Sequence, residues 1–275
     1  MRTAIIGLLA ETSLHPGAES TTDVIDLPVA REVVTQYPVV VGSSLKGALR
    51  DRARHSLGES AVESIFGAQD SAGQIMVSDA RLLLLPVRSL SAPYRWVTCP
   101  YVLERFRRDM RLAGGSADFH APEPDDETAI AASGSGRLFL EELCLNLEAG
   151  ELEEVVRAVG FLIGHPLVRA RLAAQVTIIS NTNFQYFAKY GLQVNARNNL
   201  DTEKKTSKNL WYEESVPPDT LFYALLMTRP GMGDALGALL SIFRERPYLQ
   251  LGGNETVGQG WCAVHCLEVG GGAGA

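Results

Sequence analysis

The sequence predicts an α+β fold, read as one domain over residues 1–275. Three observations lead there. Strand-like and helical patterns follow one another without regular alternation, in an order that fits a βαββαβ plan. Hydrophobic residues make up 46% of the chain, enough for one large core. Two long stretches, 11–37 and 193–214, follow neither a helical nor a simple strand period and belong outside that core.

The elements follow in chain order. Residues 3–10 (TAIIGLLA) form an unbroken apolar run, the pattern of a buried strand. Residues 11–37 make a loop of a length that in compact domains is usually functional or disordered. A short apolar strand at 38–41 leads through GSSLKG into a helix over 45–57, with Leu45, Leu49, Ala53 and Leu57 on one face. A second helix is expected at 61–66, paired strands within 74–87, and a strand at 94–98. Pro100 then opens a helix to about 112, since proline lacks only an N–H that the first turn leaves unpaired anyway. Residues 114–136 are rich in Gly, Pro, Ser and acid and read as an exposed, flexible insertion, with His120 on its surface. A strand at 137–147, an amphipathic helix at 151–164, a strand at 177–179 and a helix at 181–189 follow. Residues 193–214 give two polar arms around a turn-rich tip (LDTEKKTSKN), a hairpin that projects and needs a partner. A strand at 220–228, a helix at 234–246, strands at 248–251 and 261–269, and a flexible tail at 270–275 complete the chain.

The net charge of −7 argues against an indiscriminate nucleic-acid binder. Its distribution is uneven: residues 46–54, 105–111 and 189–208 are basic, while acid gathers at 123–127 and 151–154. Such stripes suit a nucleic-acid channel on one face. The arginines at 105, 107, 108 and 111 read as a solvated or subunit-facing helix. No apolar run is long enough for a membrane span, and the N-terminus lacks a signal-peptide plan. Cys99, Cys144, Cys262 and Cys266 form no Cys-x-x-Cys pair, so reduced thiols in a cytoplasmic protein are expected rather than a zinc site. Cys262 and Cys266 share one face of their strand by even spacing.

The chemistry concentrates in the first loop and the helix after it. Ser43 or Ser44 can cap that helix, whose N-terminal N–H groups attract an anion, and Lys46 and Arg50 add cations. A nucleotide P-loop is excluded by spacing, because Gly42 stands only four residues before Lys46 and Gly47 follows it. Asp26 is a candidate to hold a hydrated divalent cation, magnesium or manganese, or else simply caps a turn. Asp23 reads as its solvated neighbour. His15 has the intrinsic pKa of a general acid or base, against the alternative of a structural loop histidine. Gly252, Gly253, Gly258 and Gly260 let backbone approach a sugar–phosphate chain, although a plain hairpin turn uses glycine too. Trp211 reads as core packing and Glu213 as a second acid near Asp26.

Particular blocks sharpen this reading. His15-x-Gly17, VIDLPVxRE at 24–32 and YPVVxGSSLKG at 37–47 resemble the RAMP family of CRISPR proteins. With IFG at 65–67, SDAR at 78–81, PVRS at 86–89, WVTCPY at 96–101, LWYEE at 210–214 and the late Gly-rich loop, the chain resembles the backbone subunits of type III-B (Cmr) effector complexes. The resemblance implies a modified ferredoxin-like (RRM-like) core with a long N-terminal loop and a thumb hairpin at about 191–216. It implies catalysis by Asp26, with His15 near the cleavage site, and a Gly-rich loop at Gly252, Gly253, Gly258 and Gly260 against the RNA. On the residues' own chemistry Glu213 is a further catalytic candidate, and Ser43, Ser44, Lys46 and Arg50 are assigned to guide-RNA phosphate. The implied activity is metal-dependent cutting of complementary single-stranded RNA at regular intervals. The implied partners are guide RNA, target RNA, further copies in a filament-like backbone and other Cmr subunits, with no membrane. Pro16 and Gln259 depart from the family pattern, where a small or branched residue and a cation are usual. A non-catalytic guide scaffold and a guide-precursor ribonuclease are the alternatives. A small-molecule phosphotransferase is disfavoured by the missing nucleotide motif.

Overall fold

The computed structural model describes residues 2–18, 24–201, 203–204, 206–229 and 234–269. Asp23 and the expected tail at 270–275 lie outside them. The strand Thr3–Ala10 is buried along its whole length, as its apolar run requires. It pairs antiparallel with Leu221–Thr228 on one side and Trp261–Val269 on the other. Ala80–Val87 lies antiparallel beyond Leu221–Thr228, and Tyr248–Gln250 forms the edge beyond Trp261–Val269. The sheet continues past Ala80–Val87 through Arg95–Thr98, Val176–Ile179, Thr128–Ala131, Leu143–Ala149 and Gly136–Leu140. Among the described residues this makes one mixed sheet of 12 strands, with two parallel pairings in its second half. The chain is a mixed α/β structure around one hydrophobic cluster.

Helices connect and cover the sheet for local reasons. Gly42–Arg54 buries Leu45, Leu49 and Ala53, the face its spacing predicts. Pro100 stands at the start of Pro100–Leu112. Ser180 caps Asn181–Tyr190 by accepting the Asn183 N–H at 3.1 Å, and Asp234 caps Ala235–Glu245 through the Gly237 N–H at 2.9 Å. No helix among the described residues is long and apolar enough to cross a membrane.

The structure departs from the sequence pattern in several places. The expected exposed insertion at 114–136 is partly core. Ala117 and Phe119 are buried, Phe119 lies 6.5 Å from the Phe106 ring, and Arg107 Nη1 donates to the Phe119 carbonyl at 3.2 Å. Thr128–Ala131 is an interior strand of the sheet. The surrounding acid and glycine mask two short apolar runs that only a tertiary partner makes legible. The single strand expected at 137–147 is two, turned at Glu141, whose φ is +50°. The helix expected at 151–164 stops at Gly160, and a second, Pro166–Gln175, restarts on a proline. Arg105 is not solvated: it is buried, with Glu32 at 2.7 Å.

Two expectations test this packing. Gly7, mid-strand, lies so close to the next layer that a Cβ there would stand 2.1 Å from the Leu162 carbonyl oxygen. Because backbone cannot swing aside as a side chain does, Gly7→Ala should destabilise by about 1–3 kcal/mol, read as a lower melting temperature. Burial pushes the Cys99 thiol up to about 11 and the Cys262 and Cys266 thiols to about 12, whereas Cys144 is exposed. Thiolate is the reactive form. A disulfide reagent at pH 8 should therefore modify Cys144 quickly in the native protein and the other three only after denaturation.

Candidate functional site

A hairpin of Gln193–Leu200 and Ser207–Ser215 forms a separate two-stranded sheet. Most of it is exposed, and near its tip the Asp201 carboxylate accepts the Glu203 and Lys204 N–H groups at 2.9 Å and lies 3.0 Å from Lys208 Nζ. Those contacts lower the Asp201 pKa. Burial begins only at Glu213, Glu214 and Ser215. Trp211 is half-buried at this base rather than in the core.

The first loop returns alongside that base. Leu27 donates to the Tyr212 carbonyl at 3.0 Å and accepts from the Glu214 N–H at 2.9 Å, a parallel bridge. Asp26 is thereby fixed: its Oδ2 accepts the Tyr212 N–H at 2.8 Å, leaving Oδ1 as the remaining acceptor. It is half-exposed. His15 is buried beside the same strand, and its Nδ1 lies 2.7 Å from the Glu214 carbonyl. A carbonyl only accepts, so Nδ1 carries the proton and Nε2 is the nitrogen left for proton exchange. The Glu213 carboxylate is held by Asn254 and by Arg197 at 3.5 Å. Glu213 thus ties the hairpin to the Gly-rich loop.

That loop closes the site from the other side. Gly253 donates to the His15 carbonyl at 2.9 Å, and Gly260 to that of Ser13 at 2.8 Å. Gly252, at φ +74°, is obligatory: a Cβ would stand 2.3 Å from the His15 carbonyl oxygen. Asn254 and Gly258 adopt left-handed conformations around the turn Glu255–Val257. Gln259 accepts from Asn254 at 2.9 Å.

The helix start differs from the expected cap. Gly42–Arg54 begins at Gly42, and Asp79 rather than Ser43 or Ser44 accepts its first N–H, at 2.7 Å. Asp79 sits beside the neighbouring strand and reaches the helix end first. Ser43 and Ser44 fall in the first turn, exposed, where their N–H groups have no intrahelical acceptor. Lys46 and Arg50 are half-buried, and Arg50 Nε is enclosed without a hydrogen-bond partner among the described residues.

A groove of about 1090 Å³ runs between this helix and the sheet edge. Ser44, Gly252 and Gly253 line it together; Ser43, Lys46, Arg50, Gly258 and Gly260 do not. Arg52, Arg246, His55, Tyr248 and Trp261 line it as well, as do Glu11, Asp51 and Glu255. Of these, Tyr248, Trp261, His55 and Arg246 escape the sequence reading. Their one signal is an aromatic residue opening each of the two paired strands that flank a Gly-rich turn. Among the described residues no three His, Cys, Asp or Glu side chains converge on a metal site. Asp26 alone suits an ion that keeps its waters and arrives with a phosphate, the usual habit of magnesium.

Comparison with known proteins agrees with this layout. The sequence pattern of the RAMP superfamily matches residues 8–263. The chain is 36% identical to the CRISPR system Cmr endoribonuclease Cmr4 of Pyrococcus furiosus, across 98% of this chain and 97% of that one. It is 24% identical to the CRISPR system CMR subunit Cmr4 of Saccharolobus solfataricus, across 94% of each. The crystal structure of oligomeric Cmr4 from Pyrococcus furiosus superposes with a TM-score of 0.81 at 33% identity, covering 98% of this chain and 99% of that one. A chain of the type III-B Cmr-beta complex bound to cognate target RNA shares the fold, with a TM-score of 0.76 at 19% identity over 96% of each. The chain belongs to the RAMP superfamily, among the homologues of Cmr4.

Proposed function

We propose that the chain is the guide-RNA-binding backbone subunit of a type III-B effector complex and cuts complementary target RNA. The observation that carries this is Asp26, tied by the Tyr212 N–H to the base of a hairpin that, among the described residues, pairs with no other strand. Full-length likeness to a protein named an endoribonuclease supports it. The strand order Trp261–Val269, Thr3–Ala10, Leu221–Thr228, Ala80–Val87, all antiparallel, supports a ferredoxin-like core. On this reading the chain is one RAMP domain and the hairpin is its thumb, with cytoplasmic guide RNA, target RNA, further copies and other Cmr subunits as partners.

Base pairing with the guide selects the target, so the protein needs to grip only backbone and shape. Exposed N–H groups at Ser43 and Ser44, the Lys46 cation and the Gly-rich loop suit guide phosphates. The hairpin opens the duplex and leaves one junction of the target free to bend. There the 2′-oxygen loses its proton and attacks the adjacent phosphorus, and the bond to the 5′-oxygen breaks as that oxygen gains a proton. The products are a cyclic phosphate and a 5′-hydroxyl. Asp26 orients the 2′-hydroxyl, the unprotonated His15 Nε2 takes up its proton, and a water molecule supplies the proton that the 5′-oxygen gains. Asp26 would hold a magnesium or manganese ion, which would supply charge relief at the phosphate.

Asp26→Ala decides between cutting and scaffolding. In complexes assembled with guide RNA, complementary RNA and magnesium, the variant should lose cutting by about a hundredfold or more while target binding persists. Chelation with EDTA should silence the parent. Equal product from variant and parent would remove Asp26 from the reaction. Specific cutting of precursor RNA by the isolated chain in EDTA would favour the processing alternative.

A further inference from the structure

We propose that Glu214 and Arg31 form a clasp that positions Asp26 and His15 for target cutting; this rests on the function proposed above. Every polar group of Glu214 is engaged with those two segments. Its N–H donates to the Leu27 carbonyl at 2.9 Å, and its own carbonyl accepts from His15 Nδ1 at 2.7 Å. One carboxylate oxygen accepts the Val29 N–H at 3.0 Å and the other accepts Arg31 Nη2 at 2.6 Å. Arg31 Nη1 in turn donates to the carbonyls of Gln36 at 2.7 Å and Ala188 at 2.6 Å. Ala188 lies in the last turn of Asn181–Tyr190, where helix carbonyls favour a cation.

The Glu214 and Arg31 side chains are only 4% and 15% exposed. Desolvation offsets most of what a buried ion pair gains, so net stability is a poor explanation for it. What the pair supplies is a single geometry. Tyr212, two residues before Glu214, holds the Asp26 carboxylate, so the loop and the hairpin base move as one piece. Neither Glu214 nor Arg31 touches RNA in this role; both are positioning residues.

The test uses complexes assembled with guide RNA, cut in single turnover at saturating target, with target affinity measured by titration. A misplacement of about 1 Å can cost about a hundredfold in rate, and Glu214→Ala should lose about that much. Its target affinity should stay within about twofold of the parent. Glu214→Gln keeps an oxygen for Val29 and should recover at least about a tenth of the parent rate. In an Asp26→Ala background, Glu214→Ala should change nothing further, because groups acting as one unit are not additive. If Glu214→Ala does not assemble, Arg31→Met combined with Glu214→Gln removes both charges and carries the same expectation. A parent-like rate in the assembled variants, or a loss that merely follows melting temperature, overturns the clasp. Parent-like cutting by Asp26→Ala instead overturns the proposed function, so the two failures are distinct.

Discussion

The arrangement hangs on the strand Thr3–Ala10, hydrogen-bonded along both edges and buried at every residue. An unbroken apolar strand has one stable place, the middle of a covered sheet. Its end therefore emerges at a fixed point between two neighbours. Glu11 donates to the Trp261 carbonyl on one side, and Asp219 to that of Ala10 on the other. A few residues on, Leu14 and Val216 exchange both backbone bonds. The loop that carries His15 and Asp26 thus leaves the sheet already seated between the hairpin base and the Gly-rich turn.

From that exit the site is built mostly by backbone. The carbonyls of Ser13 and His15 meet glycine N–H groups, and Asp26 and Leu27 meet Tyr212 and Glu214. Main-chain contacts place atoms without depending on flexible side chains. The two adjacent glutamates divide the remaining work. Glu213 binds the hairpin to the Gly-rich loop through Asn254, and Glu214 binds it to the segment after Asp26. Glu213 is as well explained by this tie as by catalysis.

Electrostatics in the large groove is balanced rather than strongly positive. Arg52 and Arg246 line it together with Glu11, Asp51 and Glu255 and the aromatic Tyr248 and Trp261. Such a surface offers helix-end N–H groups, open backbone and aromatic faces rather than charge alone. That balance fits a chain of net charge −7.

The sequence by itself determined the central strand, the helix face of Leu45, Leu49 and Ala53, the polar hairpin, and the loop and glycine-rich turn that carry the candidate residues. Those features are set by local periodicity, turn chemistry and motifs that can be read in order along the chain. Only the tertiary structure decided that Thr128–Ala131 joins the sheet, that Asp79 takes the helix cap, and that Arg105 is buried against Glu32. It also brought Arg31 to Glu214, 183 residues away in the chain. Each of these depends on a partner distant in sequence. A polar residue's fate is set by which opposite charge or unpaired N–H the fold delivers to it, and no local pattern encodes that delivery.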